Sequence, residues 1–274
     1  MITPNTVEII QCRKPSLFDP GENFVEASKL HRHLVEAEVP GIRELAQSPL
    51  LLDATARATK PYPQQPPIHL PPPTIFEERM SYRELLQNRR SPRHLAPAAP
   101  LSLEQLSWLC WATDGNNGEI SPGRYGRTAP SGGALYPRDL FVATSGGQLD
   151  PGLYHYNPYN HQLEYVNKTT SEELAKGTAQ PDLGAGGSGL VLSASFWRNR
   201  MKYEQRGVRF SLIELGHVAQ NALLAATMLG LAALPLGGFF DEEINAMIGL
   251  DGLHETVAYV IMLGKPVTEN HGRE

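Results

Sequence analysis

Arg89-Arg90-Ser91-Pro92-Arg93 is the stretch on which the reading of this chain turns. Three guanidiniums and a hydroxyl follow closely on Ser81-Tyr-Arg-Glu84, whose serine and glutamate have the spacing of a capping box, so the spacing predicts a short helix to about Arg89. Arginine makes charge-assisted, two-pronged hydrogen bonds to phosphate, so the cluster suits a phosphate carried on a polyol. A solvated basic turn would have the same composition, and these residues alone leave both readings open.

Downstream, Ser102-Leu-Glu-Gln105 is a second capping box and opens a helix with Leu106, Leu109 and Cys110 inward, Trp108 and Trp111 flanking, and Asp114-Gly115 as its stop. Leu140–Thr144 reads as a strand, Leu153–Tyr156 and Gln162–Val166 as a hairpin, and Leu190–Ser195 as an apolar strand. Phe210–Leu229 reads as a long helix, apolar nearly all round and therefore central or at an interface. Leu231–Leu236 and Val257–Leu263 read as buried strands, with Asp241–Ile248 a short helix stopped by Gly249. Helices and strands alternate without a regular βαβ repeat, which argues an α+β fold: a central mixed or antiparallel sheet surrounded by helices.

Upstream, Asn23–Glu38 has Phe24, Ala27, Leu30 and Leu34 on one helical face. Pro61–Pro73 is dense in proline, which fixes φ and cannot donate to a ladder, so it reads as an extended strap over the domain surface rather than a docking ligand. The organisation read from this is an N-terminal extension over residues 1–73, with its Pro-rich linker at 61–73, and a domain over 74–274.

Length and balance set bounds. At 274 residues, 41% hydrophobic and 19% charged, the chain can bury a full core. A net charge of −5 carries no nucleic-acid footprint. Cys12 and Cys110 have no ligand or disulfide spacing, so no metal site is expected and a reducing, cytoplasmic setting fits. Met1–Cys12 lacks a basic start followed by an apolar run, so no secretory signal is read there. The charge-poor stretch Ala222–Phe240 contains Pro235 and several glycines, and reads as a buried helix running into a loop rather than a membrane span.

Three further motifs carry possible chemistry. In Arg127-Thr-Ala-Pro130-Ser131-Gly132-Gly-Ala-Leu-Tyr136, two glycines beside a serine admit a flat ligand close to the backbone, and Tyr136 can stack or donate. In Leu234-Pro235-Leu236-Gly237-Gly238, backbone N–H groups can meet an acceptor edge. Lys202-Tyr203, just before the long helix, offers a base, if burial lowers the lysine, and a proton relay. Each has a bland counterpart: a loop, a turn and a charged helix entrance. Gly184–Gly189 has the look of a dinucleotide loop but precedes a strand, the wrong context. His217, on the apolar helix, reads as a satisfied interior residue.

Taken together and in this order, Asn88–Arg93, Leu101–Ala112, Pro130–Pro137, Gly152–Tyr156, Lys202-Tyr203, Gly216-His217 with Gln220-Asn221, Pro235–Gly238 and Gly264–Pro266 resemble the nitroreductase superfamily, and within it the SagB-type azoline dehydrogenases, over roughly residues 74–268. The resemblance implies an FMN enzyme that is a homodimer with two flavins at the subunit interface. It implies that Arg89, Arg90, Ser91 and Arg93, with Lys265, meet the phosphate, ribityl chain and pyrimidine edge. Pro235, Leu236, Gly237 and Gly238 would line the ring near N5, with Pro130, Ser131 and Gly132 approaching from the partner subunit. It implies that Lys202 and Tyr203 assist oxidation of a peptide thiazoline or oxazoline to the azole, with O2 as final acceptor, and that biosynthetic partner proteins take part. An NAD(P)H-dependent nitro or quinone reductase and a flavin-free scaffold subunit stand as the alternatives.

Overall fold

The computed structural model describes residues 19–32, 37, 39–56, 58–74, 80–92, 94–96, 98–181 and 187–266. In chain order its elements are α1 (Pro20–Ala27), α2 (Gly41–Gln47), α3 (Pro49–Ala56), β1 (Ile68–His69), α4 (Tyr82–Asn88), β2 (Leu95–Ala96), α5 (Leu103–Asp114), β3 (Asn116–Ser121), β4 (Arg124–Arg127) and β5 (Arg138–Thr144). There follow β6 (Gly152–Asn157), β7 (Gln162–Asn167), α6 (Ser171–Lys176), β8 (Ser188–Ser195), α7 (Phe196–Met228), β9 (Ala232–Leu236), α8 (Asp241–Ile248) and β10 (Glu255–Pro266). The main sheet runs β1-β7-β6-β5-β8-β10-β2 with β9 also on β10, and every pairing among the described residues is antiparallel. β3 and β4 form a separate hairpin.

The sheet is sandwiched, so its central strands are apolar on both faces. Leu140, Val142, Leu190, Leu192, Ile261 and Leu263 face α5 and α7, packing with Leu106, Leu109, Cys110, Val218, Ala219 and Ala222. Phe141, Ala143, Val191, Val260 and Met262 point the other way, against Leu174 and Ala175 of α6 and Ile244 and Ile248 of α8. The period of two along each strand assigns alternate residues to opposite layers. Both capping boxes form, Ser81 with Glu84 and Ser102 with Gln105.

The N-terminal helix differs from expectation. α1 starts at Pro20, whose fixed φ suits the first helical turn, and stops at Ala27, where the Ser28 hydroxyl donates back to the Phe24 carbonyl at 2.6 Å. Leu30 stands exposed beyond its end, and Leu34 lies outside the described residues. The other large difference is α7. It begins fourteen residues before Phe210 and bends sharply at Glu204 (φ 48°, ψ −132°). The bend folds the first arm onto the second, so that a β-carbon at Gly207 would lie 2.7 Å from the Asn199 carbonyl carbon. His217 is a correction: it is exposed, on an outward stripe with Leu212 (47% exposed) and Ile213 (52%). Leu215, Val218 and Ala219 occupy the core side, so α7 has a buried face and an open one. Among the described residues no helix is long and apolar enough to cross a membrane.

The proline strap is pinned more deeply than a surface strap requires. β1 pairs with β7, and the Leu70 amide donates to the His161 carbonyl at 3.1 Å. Tyr62 is buried edge-on to Phe141 and lies 4.9 Å from the His155 ring, while its amide donates to Glu164 Oε2 at 3.0 Å. Beneath it, fully buried His155 sits between Glu164 (3.2 Å) and Asp139 (3.3 Å), and Arg198 donates to Asp139 at 2.8 Å. Burial alone would lower the His155 pKa, but the bonds to Asp139 and Glu164 outweigh it and raise it. Burial would raise Glu164, yet the bonds from His155, Asn157 and Gln162 bring it down to about 2. Asp139 is likewise driven well below the carboxylate range, chiefly by Arg198 and His155 against its burial.

Two outcomes follow. Gly207→Ala is expected to cost at least about 2 kcal/mol in urea unfolding, because the close approach is to backbone that cannot yield without opening the bend. The His155 contribution is complete below its unfolded pKa of about 6.5 and is lost as pH rises through its raised folded value, whereas the carboxylates contribute above about pH 4.3 and fade as pH falls toward their lowered values. The stability gap between wild type and His155→Gln is therefore expected to narrow from pH 6 to pH 9, and a gap constant over that range would remove the charge from the explanation.

Candidate functional site

Lys202 and Tyr203 close the first arm of α7, immediately before the bend. A non-glycine residue with positive φ costs of order 1–3 kcal/mol and persists only where its surroundings enforce it. Here the enforcement is the turn Ser131–Ala134 on one side and Phe210 on the other: the Tyr203 and Phe210 rings meet edge-on at 5.0 Å, and Lys202 Nζ lies 5.1 Å from the Tyr203 ring centroid. A β-carbon at Gly133 (φ 67°) would stand 2.5 Å from Lys202 Nζ and 2.9 Å from the Tyr203 hydroxyl, so this position needs glycine for its backbone and for its space. The structure thus brings two of the sequence motifs together: the pair on α7 and the turn that begins at Pro130-Ser131-Gly132.

A buried ionic bracket holds that turn. Arg138 Nη2 donates to Asp114 Oδ1 at 2.8 Å and to the Ala129 carbonyl at 3.0 Å, and Nη1 donates to Glu214 Oε2 at 2.6 Å and to the Pro130 carbonyl at 3.3 Å. The other oxygen of Glu214 accepts from the Gly132 amide at 3.0 Å and from Asn199 at 3.3 Å. Arg127 completes the bracket on Asp114 at 2.7 Å. Ser131 does not face outward as a free hydroxyl: it accepts from the Tyr136 amide at 2.9 Å. Tyr136 itself is buried between the guanidiniums of Arg127 (4.5 Å) and Arg138 (5.2 Å), and its hydroxyl donates to the Tyr125 carbonyl at 2.9 Å. It braces the loop; the expected ligand contact is not available to it.

The remaining candidates lie on other elements: the end of α4, the end of β10 and the loop after β9. Arg89 is half-buried, and Arg90 and Ser91 are exposed at the end of α4, whose terminus stops at Asn88. Arg89 donates to the Ser91 hydroxyl at 3.0 Å, and Arg90 to the carbonyls of Gln87 and Arg89. Arg93 lies outside the described residues. β2 then pairs with the end of β10, so that exposed Lys265 stands opposite Ala96. Among the described residues no carboxylate pairs with Arg89, Arg90 or Lys265. Pro235 and buried Leu236 end β9, in register with Ile261 and Val260, and exposed Gly237 and Gly238 follow. A side chain at Gly237 would meet nothing within 4 Å, so that stretch of backbone is open to a ligand.

Sequence reasoning missed the bracket. Its signal was present as charged residues set in apolar surroundings: Asp114 at the end of a buried helix, Arg138 at the mouth of an apolar strand and Glu214 on the long helix. Residues with such high desolvation costs stand inside only where they are paired. It also missed Arg124 of β4, whose Nη2 donates to the Gly133 carbonyl at 3.1 Å, touching the same turn from outside.

Comparison with known proteins agrees with this geometry. Residues 86–265 match the model of the nitroreductase family. MJ1384 of Methanocaldococcus jannaschii, which bears the nitroreductase name, is 33% identical over 174 residues, covering 62% of this chain and 85% of that protein. The microcin B17-processing protein McbC of Escherichia coli is 34% identical over 149 residues, covering 52% of this chain and 54% of McbC. A solved nitroreductase structure from Ralstonia eutropha JMP134 superposes with a TM-score of 0.64 at 29% identity, over 77% of this chain and 94% of that one. With its antiparallel sheet, its long central helix and a family match spanning both ends of the candidate site, this chain belongs to the nitroreductase family.

Proposed function

We propose that the chain is an FMN-dependent oxidoreductase that dehydrogenates a thiazoline or oxazoline ring in a peptide to the corresponding azole. The observation that carries this reading is the Lys202-Tyr203 pair held at a strained corner against the Gly132-Gly133 turn. That McbC processes microcin B17 supports a peptide as substrate. Arg89, Arg90 and Lys265, which have no carboxylate partner among the described residues, fit an anionic phosphate, and the open Gly237-Gly238 backbone fits a flat ring. Bound FMN would supply the hydride acceptor.

Oxidation of the azoline removes two hydrogens: one leaves a ring carbon as a proton, the other as a hydride, and O2 takes the electrons in the end. Lys202 receives the proton, and Tyr203, beside it, orients the ring and relays the proton outward. The absence of a side chain at Gly133 lets the Lys202 ammonium and the Tyr203 hydroxyl lie directly against the turn.

The two halves of the site lie far apart within one chain. Leu85 of α4, one turn before Arg89, shares a small cavity with Leu224 and Met228, fourteen and eighteen residues beyond Phe210, the ring that Tyr203 meets, or about 21–27 Å along the second arm of α7 at 1.5 Å per residue. A flavin reached by both ends is best shared between two copies, with the pair and the Pro130–Gly132 turn of one protomer meeting the cations of its partner. The exposed Leu212 and Ile213 stripe on α7 supports a homodimer contact there. Biosynthetic partner proteins and a cytoplasmic setting belong to the same reading.

The resemblance to MJ1384 favours a second reading, an NAD(P)H-dependent nitro or quinone reductase. Purified protein is expected to show flavin absorbance and to release FMN; colourless protein that takes up no FMN would leave only a scaffold role. Lys202→Ala is expected to retain FMN while losing at least about 100-fold in oxidation of a thiazoline peptide. Rapid anaerobic bleaching by NAD(P)H, with no thiazoline oxidation by the wild type, would transfer the assignment to the reductase.

A further inference from the structure

The arm of α7 that carries Lys202 and Tyr203 meets three glycines, each standing where a β-carbon would collide with it. Gly207, on the second arm, abuts Asn199, and Gly133, in the turn, abuts the Lys202 ammonium and the Tyr203 hydroxyl. The third is Gly41, the first residue of α2. A β-carbon there would stand 2.1 Å from the Met201 carbonyl oxygen and 3.0 Å from the Lys202 Cα. Gly41 and Gly133 differ in what they touch. Gly133 meets the ends of two side chains, whereas Gly41 meets main chain, which cannot give way without carrying Lys202 with it. The φ of Gly41 is not positive, so its backbone does not call for glycine, and glycine weakens a helix relative to alanine. What accounts for glycine here is the close approach of α2 to α7.

The rest of the N-terminal region is fastened to the same place. Gly41 and Leu45, one turn apart, are the buried residues of α2, while Ile42 between them is exposed. Past the bend, Arg206 donates to the Ser28 carbonyl at 2.8 Å, and Arg209 to the Val25 carbonyl at 3.1 Å and the Ser28 hydroxyl at 2.5 Å. α2 therefore touches α7 before Glu204, and α1 with the residue after it touches α7 beyond. A strained backbone such as that of Glu204 persists only where its surroundings enforce it, and these two helices belong to those surroundings.

We propose that Gly41 is a positioning residue for proton transfer: through main-chain contact, α2 sets where Lys202 and Tyr203 stand against the Gly132-Gly133 turn. The proposal rests on the reading of Lys202 and Tyr203 as the proton-transfer pair, and adds the element outside the family match that places them. Gly41 touches no reacting group and acts only through Met201 and Lys202. With a methyl at position 41, the contact must open by about 1 Å to reach an ordinary separation. A misplacement of that size costs about 100-fold in rate where reacting groups must meet in a fixed geometry.

The test is 19F NMR on the full chain as purified, labelled with fluorotyrosine. The resonance lost in Tyr203→Phe assigns Tyr203, and Tyr154→Phe and Tyr165→Phe assign two reporters in the β6–β7 hairpin. In Gly41→Ala the Tyr203 resonance is expected to move while those of Tyr154 and Tyr165 stay in place. Turnover of a thiazoline peptide by the same variant is expected to lose about 100-fold in kcat with KM little changed, because the geometry lost is one needed only in the transition state. Leu45→Ala removes volume from the buried face of α2 instead of adding it, so it carries the test if Gly41→Ala does not fold, and it too is expected to move the Tyr203 resonance. Ile42→Ala, on the exposed face, is expected to change neither resonance nor rate. A Tyr203 resonance unmoved in Gly41→Ala and Leu45→Ala, or moved no more than those of Tyr154 and Tyr165, would overturn the proposal, as would full kcat in a variant whose Tyr203 has moved. Movement of Tyr203 in the variants of a chain whose wild type oxidises no thiazoline would remove the ring-oxidation reading and leave placement by α2 standing.

Discussion

The salt bridge between Arg138 and Glu214 is the contact on which the site depends. It is buried, and a buried ion pair rarely improves stability over well-packed apolar groups, because desolvation consumes much of the attraction. What it does supply is position. One Glu214 oxygen binds Arg138 and the other binds the Gly132 amide, so a single carboxylate ties β5, α7 and the turn between them into one arrangement. Asp114 repeats the device from α5, holding Arg138 and Arg127 together. With α5, β5 and α7 fixed to each other, the turn can keep positive φ at Gly133, Ala134 and Tyr136, a backbone that left alone would relax.

That arrangement explains what the amino-acid sequence did and did not disclose. Local signals were legible because they act locally: the serine and the residue three further on at Ser81 and Ser102, the alternation in β5 and β8, the left-handed Gly249 after α8. The bend at Glu204 was not, because glutamate carries no preference for positive φ; it is imposed by tertiary packing on both sides. Tyr136 looked available because tyrosine commonly serves ligands, and nothing in the neighbouring residues announces that two arginines enclose it. The Arg89-Arg90-Ser91 and Lys202-Tyr203 motifs were legible as residue types, but their separation along α7 was not, since distance between motifs depends on which way a helix runs over a sheet.

The strap is a second case of chemistry hidden by composition. Its prolines correctly mark an extended segment, yet Tyr62 within it is a core residue whose amide completes the hydrogen bonding of Glu164. Deleting the strap would therefore do more than uncover a surface. It would expose His155, Asp139 and Glu164, a set of charges stable only because each is enclosed by the others and roofed by the Tyr62 ring.

The two buried ionic groups also meet. Arg198 binds Asp139 and donates to the carbonyls of Tyr136 and Arg138, so the first turn of α7 is fastened to the same strand that carries the turn of the candidate site. α7 is thus held at Arg198 before its bend and at Glu214 after it, with Lys202 and Tyr203 lying between the two anchors. A segment clamped on both sides has little freedom to relax its strained residue, which gives Glu204 its conformation and the pair a fixed direction against Gly133. Placement of the pair therefore follows from charges that never touch a ligand, and it is at these buried arginines that changes remote from the chemistry would be felt by it.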